Sequence, residues 1–508
     1  MDHLTSASGV TPVVSLAPQD ASASPSVHPQ ANALVNDRVC SGETAGVAAS
    51  PTASLSSSSP PATPARCRVA YMMSRFPKIT ETFILFEMLA VERLGGEVEV
   101  YPLLKARNTA THPEGATVWG KFLELLRPPA RQAAMHPEAK PLVARAHYSP
   151  LISPAILWAN LVLLATHPLR YCGALATFIR ANLGSLNYLL GGLVLFPKTV
   201  YLARHMQRNG VTHLHAHFGN HPAAMAWVVH RLVGIPYSFT AHGADIQVDQ
   251  HMLREKVMEA SFVATISNYN VEFLVEHCGE EARRRIRVVR CGVDTEVFHP
   301  KPKTAAAADP SSETGRERPL RIVCVGTLYE VKGHAYLIEA CELLAQSGFD
   351  FECRLVGDGP LLSELRERVQ RAGLAERVLF LGRRTRDEIA ALLRESDVLV
   401  APSIPTSSGR REGIPVVLME AMASGLAVVG SDISGIPELI DHGLNGQLCP
   451  PRDAKALADQ LRSLAADRVT LRKMGEAARA KVLREYHQPT NAARLIRLFQ
   501  QQGEESAC

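Results

Sequence analysis

The chain has 508 residues, of which 46% are hydrophobic and 20% are charged. At roughly 100 to 200 residues per domain, this length predicts two or three domains with sizeable cores and excludes a small disulfide-stapled scaffold. The formal net charge is only +4, which does not indicate a dedicated nucleic-acid-binding protein. We therefore expect no nucleic-acid partner.

The cysteine pattern and the N-terminus bear on the compartment. Ten cysteines are scattered without a C-x-x-C pair or a regular spacing, so the sequence predicts neither a zinc site nor a disulfide framework. A reducing cytosol fits this pattern. The first residues lack the basic start and apolar run of a secretory signal, so we expect a cytoplasmic protein.

Residues 1–66 form a low-complexity N-terminal extension. They are rich in Ala, Ser, Thr and Pro and contain no aromatic residue. Such a segment cannot bury enough apolar surface to offset its ordering entropy, so we predict disorder. An organelle transit peptide is the alternative, but Arg38 and Arg66 are the only basic residues in the segment, which disfavours it.

From residue 67 onward, short apolar strands alternate with helical patterns. A strand at Val69–Met73 precedes a helical pattern over Glu81–Leu94, and a second strand follows at Val98–Leu103. The alternation continues to residue 300, is interrupted by an Ala-, Pro- and Ser-rich linker at 301–319, and resumes over 320–482. This order predicts an α/β protein with two doubly wound, Rossmann-like domains that face a central cleft. We expect 483–508 to form a helix that crosses back to the first domain, followed by a tail.

A hydrophobic insertion at about 120–200 departs from this scheme. Its segments 146–169 and 181–197 contain no charged residue, and the first is long enough for a membrane span. Prolines, glycines and asparagines interrupt both segments, so we expect core helices or a membrane-facing insertion rather than transmembrane helices. Peripheral contact with a membrane is a hypothesis that follows from this insertion.

The strongest chemical signal is a pair of glutamates, Glu412 and Glu420, eight positions apart. Pro415 suits the first turn of a helix that would carry Glu420. The amides at the start of that helix would form a phosphate site, and Glu420 could accept two hydrogen bonds from a vicinal diol such as a ribose. The alternative is that both are solvated carboxylates favoured by the helix dipole, and it stays open on this evidence alone.

This segment resembles the E-x7-E signature of the retaining GT-B glycosyltransferases of family 4, also called glycosyl transferases group 1. In the second half, the segments 325–333, 356–360, 378–382, 397–403, 434–439 and 442–446 agree with the family in order and spacing. In the first half, the segments 74–84, 215–219 and 240–246 are similar to its colanic-acid and exopolysaccharide branch. The resemblance runs from about residue 68 to the end of the chain.

The resemblance implies a GT-B fold and a role for each matching residue. Glu420 would hold the ribose of a nucleotide-diphosphate sugar, Glu412 would lie beside the transferred sugar, and Lys332 would neutralise the diphosphate as its charge grows. The sugar nucleotide is then a co-substrate, with no cofactor and no metal. The implied donor-binding set is Gly326, Thr327, Lys332, Gly382, Arg383, Gly413, Ile414, Pro415, Val416 and Glu420.

Thr327 departs from the family, which usually has an arginine at this position. We expect an arginine from a neighbouring loop to compensate. The candidates are Arg383, Arg384, Arg410 and Arg411. An inactive relative is the alternative.

Histidines cluster at the ends of two predicted strands, where a doubly wound sheet presents its ligand-facing loops. The resemblance implies one histidine near the donor sugar and diphosphate; His217 matches best and His242 closely follows, so we expect both, with Glu412, to be catalytic. A structural role in the core remains the alternative for each. A metal site is disfavoured, because the chain has no D-x-D pair.

Gly357 and Gly359 follow a predicted strand and match only the first two glycines of a dinucleotide-binding fingerprint. Leu362 occupies the place of the third glycine, which argues against a dehydrogenase. These glycines instead predict a tight turn near the donor base.

We therefore predict a retaining glycosyltransferase that moves a sugar from a nucleotide-diphosphate donor to a saccharide acceptor in exopolysaccharide or cell-surface glycan biosynthesis. The acceptor is expected to be lipid-linked and the enzyme to work at the cytoplasmic face of the inner membrane. A catalytically silent polysaccharide-assembly scaffold, motivated by Thr327, and a sugar-nucleotide epimerase on the same fold are the rival hypotheses.

Overall fold

The computed structural model describes residues 68–78, 81–105, 136–301 and 318–505. The expectations for the extension at 1–66, for most of the linker and for the hydrophobic insertion up to residue 135 lie outside the described residues.

The first lobe is built on a parallel sheet of six strands in the order β2-β1-β3-β4-β5-β6. Its strands are β1 Arg68–Phe76, β2 Glu97–Lys105, β3 His213–His217, β4 Tyr237–Ala241, β5 Phe262–Thr265 and β6 Ile286–Val288. Its helices are α1 Thr82–Arg93, α2 Lys140–Arg145, α3 Pro154–Thr166, α4 Pro168–Ala181, α5 Leu186–Arg208, α6 His221–Val233, α7 Ala244–Gln247, α8 Leu253–Glu259 and α9 Asn268–Cys278.

The second lobe is built on another parallel sheet of six strands, in the order β12-β11-β10-β7-β8-β9. Its strands are β7 Leu320–Val325, β8 Phe351–Val356, β9 Val378–Gly382, β10 Val398–Ala401, β11 Ala427–Ser431 and β12 Gly446–Cys449. Its helices are α10 His334–Gln346, α11 Leu362–Arg371, α12 Arg386–Glu395, α13 Val416–Ala423, α14 Ile436–Leu439, α15 Ala454–Ala466 and α16 Arg468–Glu485.

Helices cover both faces of each sheet, as parallel sheets require. The central strands are accordingly buried throughout, including all of β3, β4, β10 and β11. The architecture confirms the predicted pair of doubly wound, Rossmann-like domains.

The last helix, α17 Gln488–Glu505, packs against the first lobe. Its Phe499 is buried beside Tyr71 of β1 and Phe262 of β5. A short backbone pairing leads into it, because Val293 donates its N–H to the carbonyl of Tyr486 and accepts from the N–H of Gln488. The crossing helix therefore begins five residues after the expected position 483, since α16 stays helical to Glu485.

The apolar segments of the insertion form α3 and much of α5. Among the described residues, α5 is long and apolar enough to cross a membrane by length and composition, and half of its most apolar stretch is buried. Val200 and Ala203 of this helix are fully buried in the core of the first lobe. We therefore assign α5 to the protein core. The shorter helices α3 and α4 meet at a bend of 111°.

Candidate functional site

Each sheet has one point at which the strand order reverses, and ligands of doubly wound proteins bind at the carboxyl ends of the strands there. In the first sheet this point lies between β1 and β3, and in the second sheet it lies between β7 and β10. His217 is the last residue of β3, and the segments that follow β1, β7 and β10 lead to Glu87, Lys332 and Glu412. The topology thus brings together side chains that are far apart in the sequence.

Lys332 and Glu412 form an ion pair at the switch point of the second lobe. The Lys332 Nζ donates to Glu412 Oε2 over 2.6 Å, and both side chains are largely shielded. The lysine stem packs over Gly326, where an added Cβ would lie at a van der Waals distance of 3.4 Å from the Lys332 Cδ. Glu412, which is expected beside the sugar, therefore holds Lys332, which is expected to bind the diphosphate.

Glu420 lies in the second turn of α13, which begins directly after the buried Pro415. Burial raises the pKa of Glu420 to about 7, and the charge of Arg386 lowers it only in part. Among the described residues, no side chain or backbone group donates a hydrogen bond to this carboxylate. Glu420 therefore has both oxygens available for a ligand.

Arg383 is the candidate that the fold holds beside the loop carrying Thr327. Its Nε donates to Asp358 Oδ2 over 3.2 Å, and the carbonyl of Asp358 accepts the N–H of Leu328 in that loop. Arg384 instead pairs with Glu388 at the start of α12. Compensation for Thr327 by Arg383 remains a prediction.

Arg411, another candidate, points across the cleft instead. Its Nη1 donates to the hydroxyl of Tyr269 in the first lobe over 3.1 Å. Arg411 is thus engaged in holding the two lobes together.

His217 and His242 are the middle and end of a hydrogen-bonded chain that starts at Glu87 on α1. Glu87 Oε1 lies 3.1 Å from His217 Nε2 and 3.3 Å from the hydroxyl of Tyr71. His217 Nδ1 then lies 3.2 Å from His242 Nε2. When Glu87 is ionised and His217 is neutral, Glu87 accepts the proton of His217 Nε2, and His217 Nδ1 accepts the proton of His242 Nε2. His242 then presents an unprotonated Nδ1.

The surroundings of His242 keep its ring neutral and fixed. Phe83 and Phe218 pack on it with ring centres 4.8 and 4.9 Å away. Burial, together with the neighbouring His217, lowers the pKa of His242 well below its usual value. His217 is fully buried behind it, whereas His242 is partly exposed. His242 is therefore the histidine that a ligand in the cleft would meet.

Asp245 fixes the two loops that carry these histidines. Its carboxylate accepts the backbone N–H groups of Gly219, His242 and Gly243 over 2.6 to 2.9 Å. Phe218, which lies between His217 and Gly219, has a φ of 77°. This backbone conformation costs free energy for a residue with a side chain. Asp245 thus helps to hold a strained backbone at the cleft.

His213 and His215 have structural roles. His215 is bonded through Nδ1 to Ser238 and through Nε2 to Thr240, and burial lowers its pKa well below the usual value. His213 is also bonded to Ser238. Glu87, His215 and His217 lie close enough together to be considered as metal ligands, but both ring nitrogens of His215 are already used. The donor set therefore fits a hydrogen-bond network better than a metal.

The two lobes meet at Gly413, next to Glu412. A Cβ at Gly413 would lie 2.4 Å from the carbonyl oxygen of His242 and 2.9 Å from the Ile266 Cδ1. Only a glycine therefore allows the loop of the second lobe to approach the first lobe this closely.

A second contact joins the lobes at Glu438 of α14. Its carboxylate accepts the backbone N–H groups of Asn268 and Tyr269, at the N-terminus of α9 in the first lobe, over 2.9 and 2.8 Å. An anion is stabilised at a helix N-terminus by the free N–H groups and the helix dipole. This contact joins α14 of the second lobe to α9 of the first lobe.

Glu87 is a residue of the candidate site that the sequence did not indicate. It is the one charged side chain in the run from Thr82 to Val91, and most of that run is buried. A lone carboxylate inside an apolar helical segment could have indicated a buried polar partner. The sequence alone did not show that this partner was a histidine 130 positions away.

Comparisons with known proteins agree with this architecture. The family described as Glycosyl transferases group 1 matches residues 307–481, and the family described as Glycosyltransferase Family 4 matches residues 174–297. WcaL of Escherichia coli K12, a glycosyltransferase named for colanic acid biosynthesis, is 31% identical over 457 residues, which cover 85% of this chain and 99% of WcaL. AmsK of Erwinia amylovora, an amylovoran biosynthesis glycosyltransferase, is 38% identical over 49% of this chain and 59% of AmsK.

Solved structures share the fold. Anabaena Alr3699/HepE, crystallised with UDP, has a TM-score of 0.59 and 17% sequence identity, and the match covers 85% of this chain and 98% of that protein. A sucrose-phosphate synthase from Thermosynechococcus elongatus gives a TM-score of 0.56 at 18% identity, with coverage of 86% and 99%.

The fold and the cleft define a two-domain GT-B protein. The chain belongs to the group 1, or family 4, glycosyltransferases, and it is a transferase enzyme.

We expect Glu87→Gln to lower kcat by at least about tenfold, because an amide no longer specifies where the protons of His217 and His242 lie. Steady-state rates over a range of pH would measure this, and the pH profile should change as well. Glu92→Gln is the control, since Glu92 lies on the same helix but pairs with Arg145. Equal rates and profiles for wild type and Glu87→Gln would contradict the positioning role.

We expect Gly413→Ala to lower kcat/KM by at least about tenfold, because the added methyl group collides with His242 and holds the lobes apart. Small-angle scattering should show a larger radius of gyration with unchanged helix content. Gly173→Ala is the control, since nothing lies within 4 Å of its added Cβ. Unchanged activity and dimensions in Gly413→Ala would refute the contact.

We expect Glu420→Gln to raise the thermal unfolding midpoint at pH 8. The pKa of Glu420 is about 7 in the folded protein against a usual value of 4.5, so the folded state binds the proton more tightly. Folding stability therefore falls as the pH rises from 4.5 to 7, and the cost persists above 7. Scanning calorimetry should show that the gain from Gln shrinks towards pH 4.5. A gain independent of pH, or one shared by the exposed Glu364→Gln, would contradict this assignment.

Proposed function

We propose that the enzyme transfers a sugar, with retention of the anomeric configuration, from a nucleotide-diphosphate donor to a saccharide acceptor. The acceptor is lipid-linked, and the reaction belongs to exopolysaccharide or cell-surface glycan biosynthesis at the cytoplasmic face of the inner membrane. The observation that carries this proposal is the Lys332–Glu412 ion pair at the switch point, beside the unpaired carboxylate of Glu420.

When the donor binds, Lys332 exchanges one ionic partner for another. The diphosphate takes over Lys332 from Glu412, while Glu420 accepts hydrogen bonds from the ribose hydroxyls. Glu412, released from the lysine, is then available to the hydroxyl groups of the sugar. In this exchange Lys332 keeps an anionic partner and both carboxylates gain hydrogen-bond donors, which matters because a buried charge without a partner is costly.

Transfer follows from positioning and charge stabilisation. The acceptor oxygen attacks the anomeric carbon on the face from which the diphosphate leaves, the bond from carbon to phosphate oxygen breaks, and the acceptor proton passes to the departing oxygen. Lys332 stabilises the negative charge that grows on the diphosphate, with Arg383 as the second cation, so the step needs no bound metal. The unprotonated His242 Nδ1 accepts a hydroxyl hydrogen bond and orients the sugar.

The relatives support the biological setting. WcaL and AmsK carry names from the biosynthesis of colanic acid and amylovoran. Alr3699/HepE has been crystallised with UDP-glucose on the same fold. Each of these facts concerns the other protein, and we extend the reaction class to this chain as part of the proposal.

The first test is thermal unfolding in the presence of a panel of sugar nucleotides, because a ligand that binds the native state stabilises it in proportion to its occupancy. We expect one donor to stabilise wild type and the control Glu364→Ala, and to have no effect on Glu420→Ala. Product formed with that donor should show the same anomeric configuration by proton NMR. An inverted product would reject retention. Failure of every donor to bind or to be hydrolysed would favour the scaffold hypothesis.

A further inference from the structure

Large apolar side chains are exposed together on the insertion of the first lobe. Of the 14 exposed large hydrophobic residues in the described part of the chain, nine lie between 152 and 190. Six of them lie on or beside α3, and we call these six residues the α3 surface: Ile152, Leu157, Trp158, Leu161, Leu164 and Leu169. Their exposed fractions range from 41% for Leu164 to 88% for Leu169.

The outer face of α3 is apolar without interruption, which is unusual for a helix that faces water. The helix contains no charged residue. Its polar Asn160 turns inward, where it donates to the carbonyl of Pro197 and accepts from the hydroxyl of Tyr171, each over 2.9 Å. The exposed positions carry leucine, tryptophan, alanine and proline, with Thr166 at the last position of the helix, where its hydroxyl donates to the carbonyl of Val162 over 2.8 Å.

The inner face of α3 anchors the helix, so the α3 surface cannot turn into the core. Ile156, Ala159 and Leu163 are buried at helical spacing. Ser153 caps the N-terminus by accepting the N–H of Ile156 over 3.2 Å. The exposed apolar face is therefore a fixed feature of the folded protein, and an apolar patch of this kind indicates an interaction site.

The charge around the α3 surface indicates which partner it meets. The sequence contains no Asp or Glu from 139 to 244, a stretch of 106 residues. Arg170 follows Leu169 directly, and Arg170 and Arg180 of α4 are both exposed. The stretch has eight basic residues. Lys198 among them is buried, and Arg145 and Arg231 are paired with glutamates outside the stretch, so the charge argument rests on the exposed Arg170 and Arg180. Apolar side chains with a tryptophan and neighbouring arginines fit the interface of an anionic lipid bilayer.

We propose that the α3 surface docks onto an anionic phospholipid membrane and inserts Leu157, Trp158 and Leu161 at the boundary between headgroups and acyl chains. The 13-residue α3 is about 20 Å long, shorter than the hydrocarbon core of a bilayer. The 111° bend and the buried Phe178 of α4 prevent the two helices from forming one straight span. The protein thus lies on the membrane.

This inference rests on the proposed function, because docking brings the cleft to the surface that holds a lipid-linked acceptor. The docking proposal and the proposed transfer can be tested separately, since donor binding takes place in the cleft and does not require a membrane.

The test is sedimentation of the full chain with vesicles of phosphatidylethanolamine and phosphatidylglycerol, compared with vesicles of phosphatidylcholine alone. We expect wild type to pellet with the anionic vesicles. Leu161→Glu should reduce the bound fraction by at least about fivefold. Val469→Glu is the matched control, because Val469 is an exposed apolar residue on a helix of the second lobe, and it should bind as wild type does.

Tryptophan fluorescence gives an independent readout. The third tryptophan of the chain, Trp119, lies outside the described residues, so the measurement uses a Trp119→Phe background. Trp158 is 66% exposed and Trp227 is fully buried, so insertion of Trp158 should shift the emission to shorter wavelength on anionic vesicles. Trp158→Phe should remove this shift while sedimentation persists.

Three results would overturn the docking proposal. The first is that the wild-type protein stays in the supernatant with both vesicle types. The second is that Leu161→Glu and Val469→Glu bind the vesicles equally. The third is that the protein forms a dimer in solution, which Leu161→Glu disrupts, and does not bind vesicles. The last result would assign the α3 surface to a second copy of the chain. Donor stabilisation of Leu161→Glu in the thermal assay shows that the variant is folded, and it separates failure of docking from failure of the proposed transfer.

Discussion

The cleft depends on the close approach of two peptide segments, one from each lobe. Gly413 lies against the carbonyl of His242 with no space for a side chain. This contact places Glu412 and the start of α13 opposite the histidine chain, so the two switch points contribute to one site. The N-terminus of α9, which Glu438 caps, and the returning helix α17 hold the lobes in the same arrangement.

The electrostatics of the cleft follow from this approach. Lys332 is paired with Glu412, His242 stays neutral because of burial, and Glu420 retains an elevated pKa and a free carboxylate. A site of this kind is prepared for a ligand that brings its own negative charge to the lysine and its own hydroxyl groups to the carboxylates. A nucleotide-diphosphate sugar has both.

The sequence predicted the fold because strands and helices alternate regularly and apolar runs mark the buried parallel strands. The predicted strands Val69–Met73 and Val98–Leu103 lie within β1 and β2. The start of α17 was less predictable, because α16 and α17 are separated only by Tyr486 and His487 and neither residue is a strong helix breaker.

The sequence predicted the chemical roles of individual residues only in part. Glu412 and Glu420 stand eight positions apart on one local segment, so their pattern indicates a site. The ion pair of Lys332 with Glu412 and the bond from Glu87 to His217 join residues 80 and 130 positions apart, and only the topology of the sheets brings them together. Period-two alternation places His213, His215 and His217 on one face, but the partners Ser238 and Thr240 decide which of them are structural.

The most direct test of this account is the affinity of a nucleoside diphosphate for Lys332→Ala, measured by titration calorimetry with the base that wild type prefers. The exposed Lys455→Ala serves as the control. We predict that Lys332→Ala binds the diphosphate at least about tenfold more weakly than wild type and the control, and that its affinity for the corresponding nucleoside monophosphate changes much less. Equal diphosphate affinity in all three proteins would contradict the central claim that Lys332 leaves Glu412 to hold the donor.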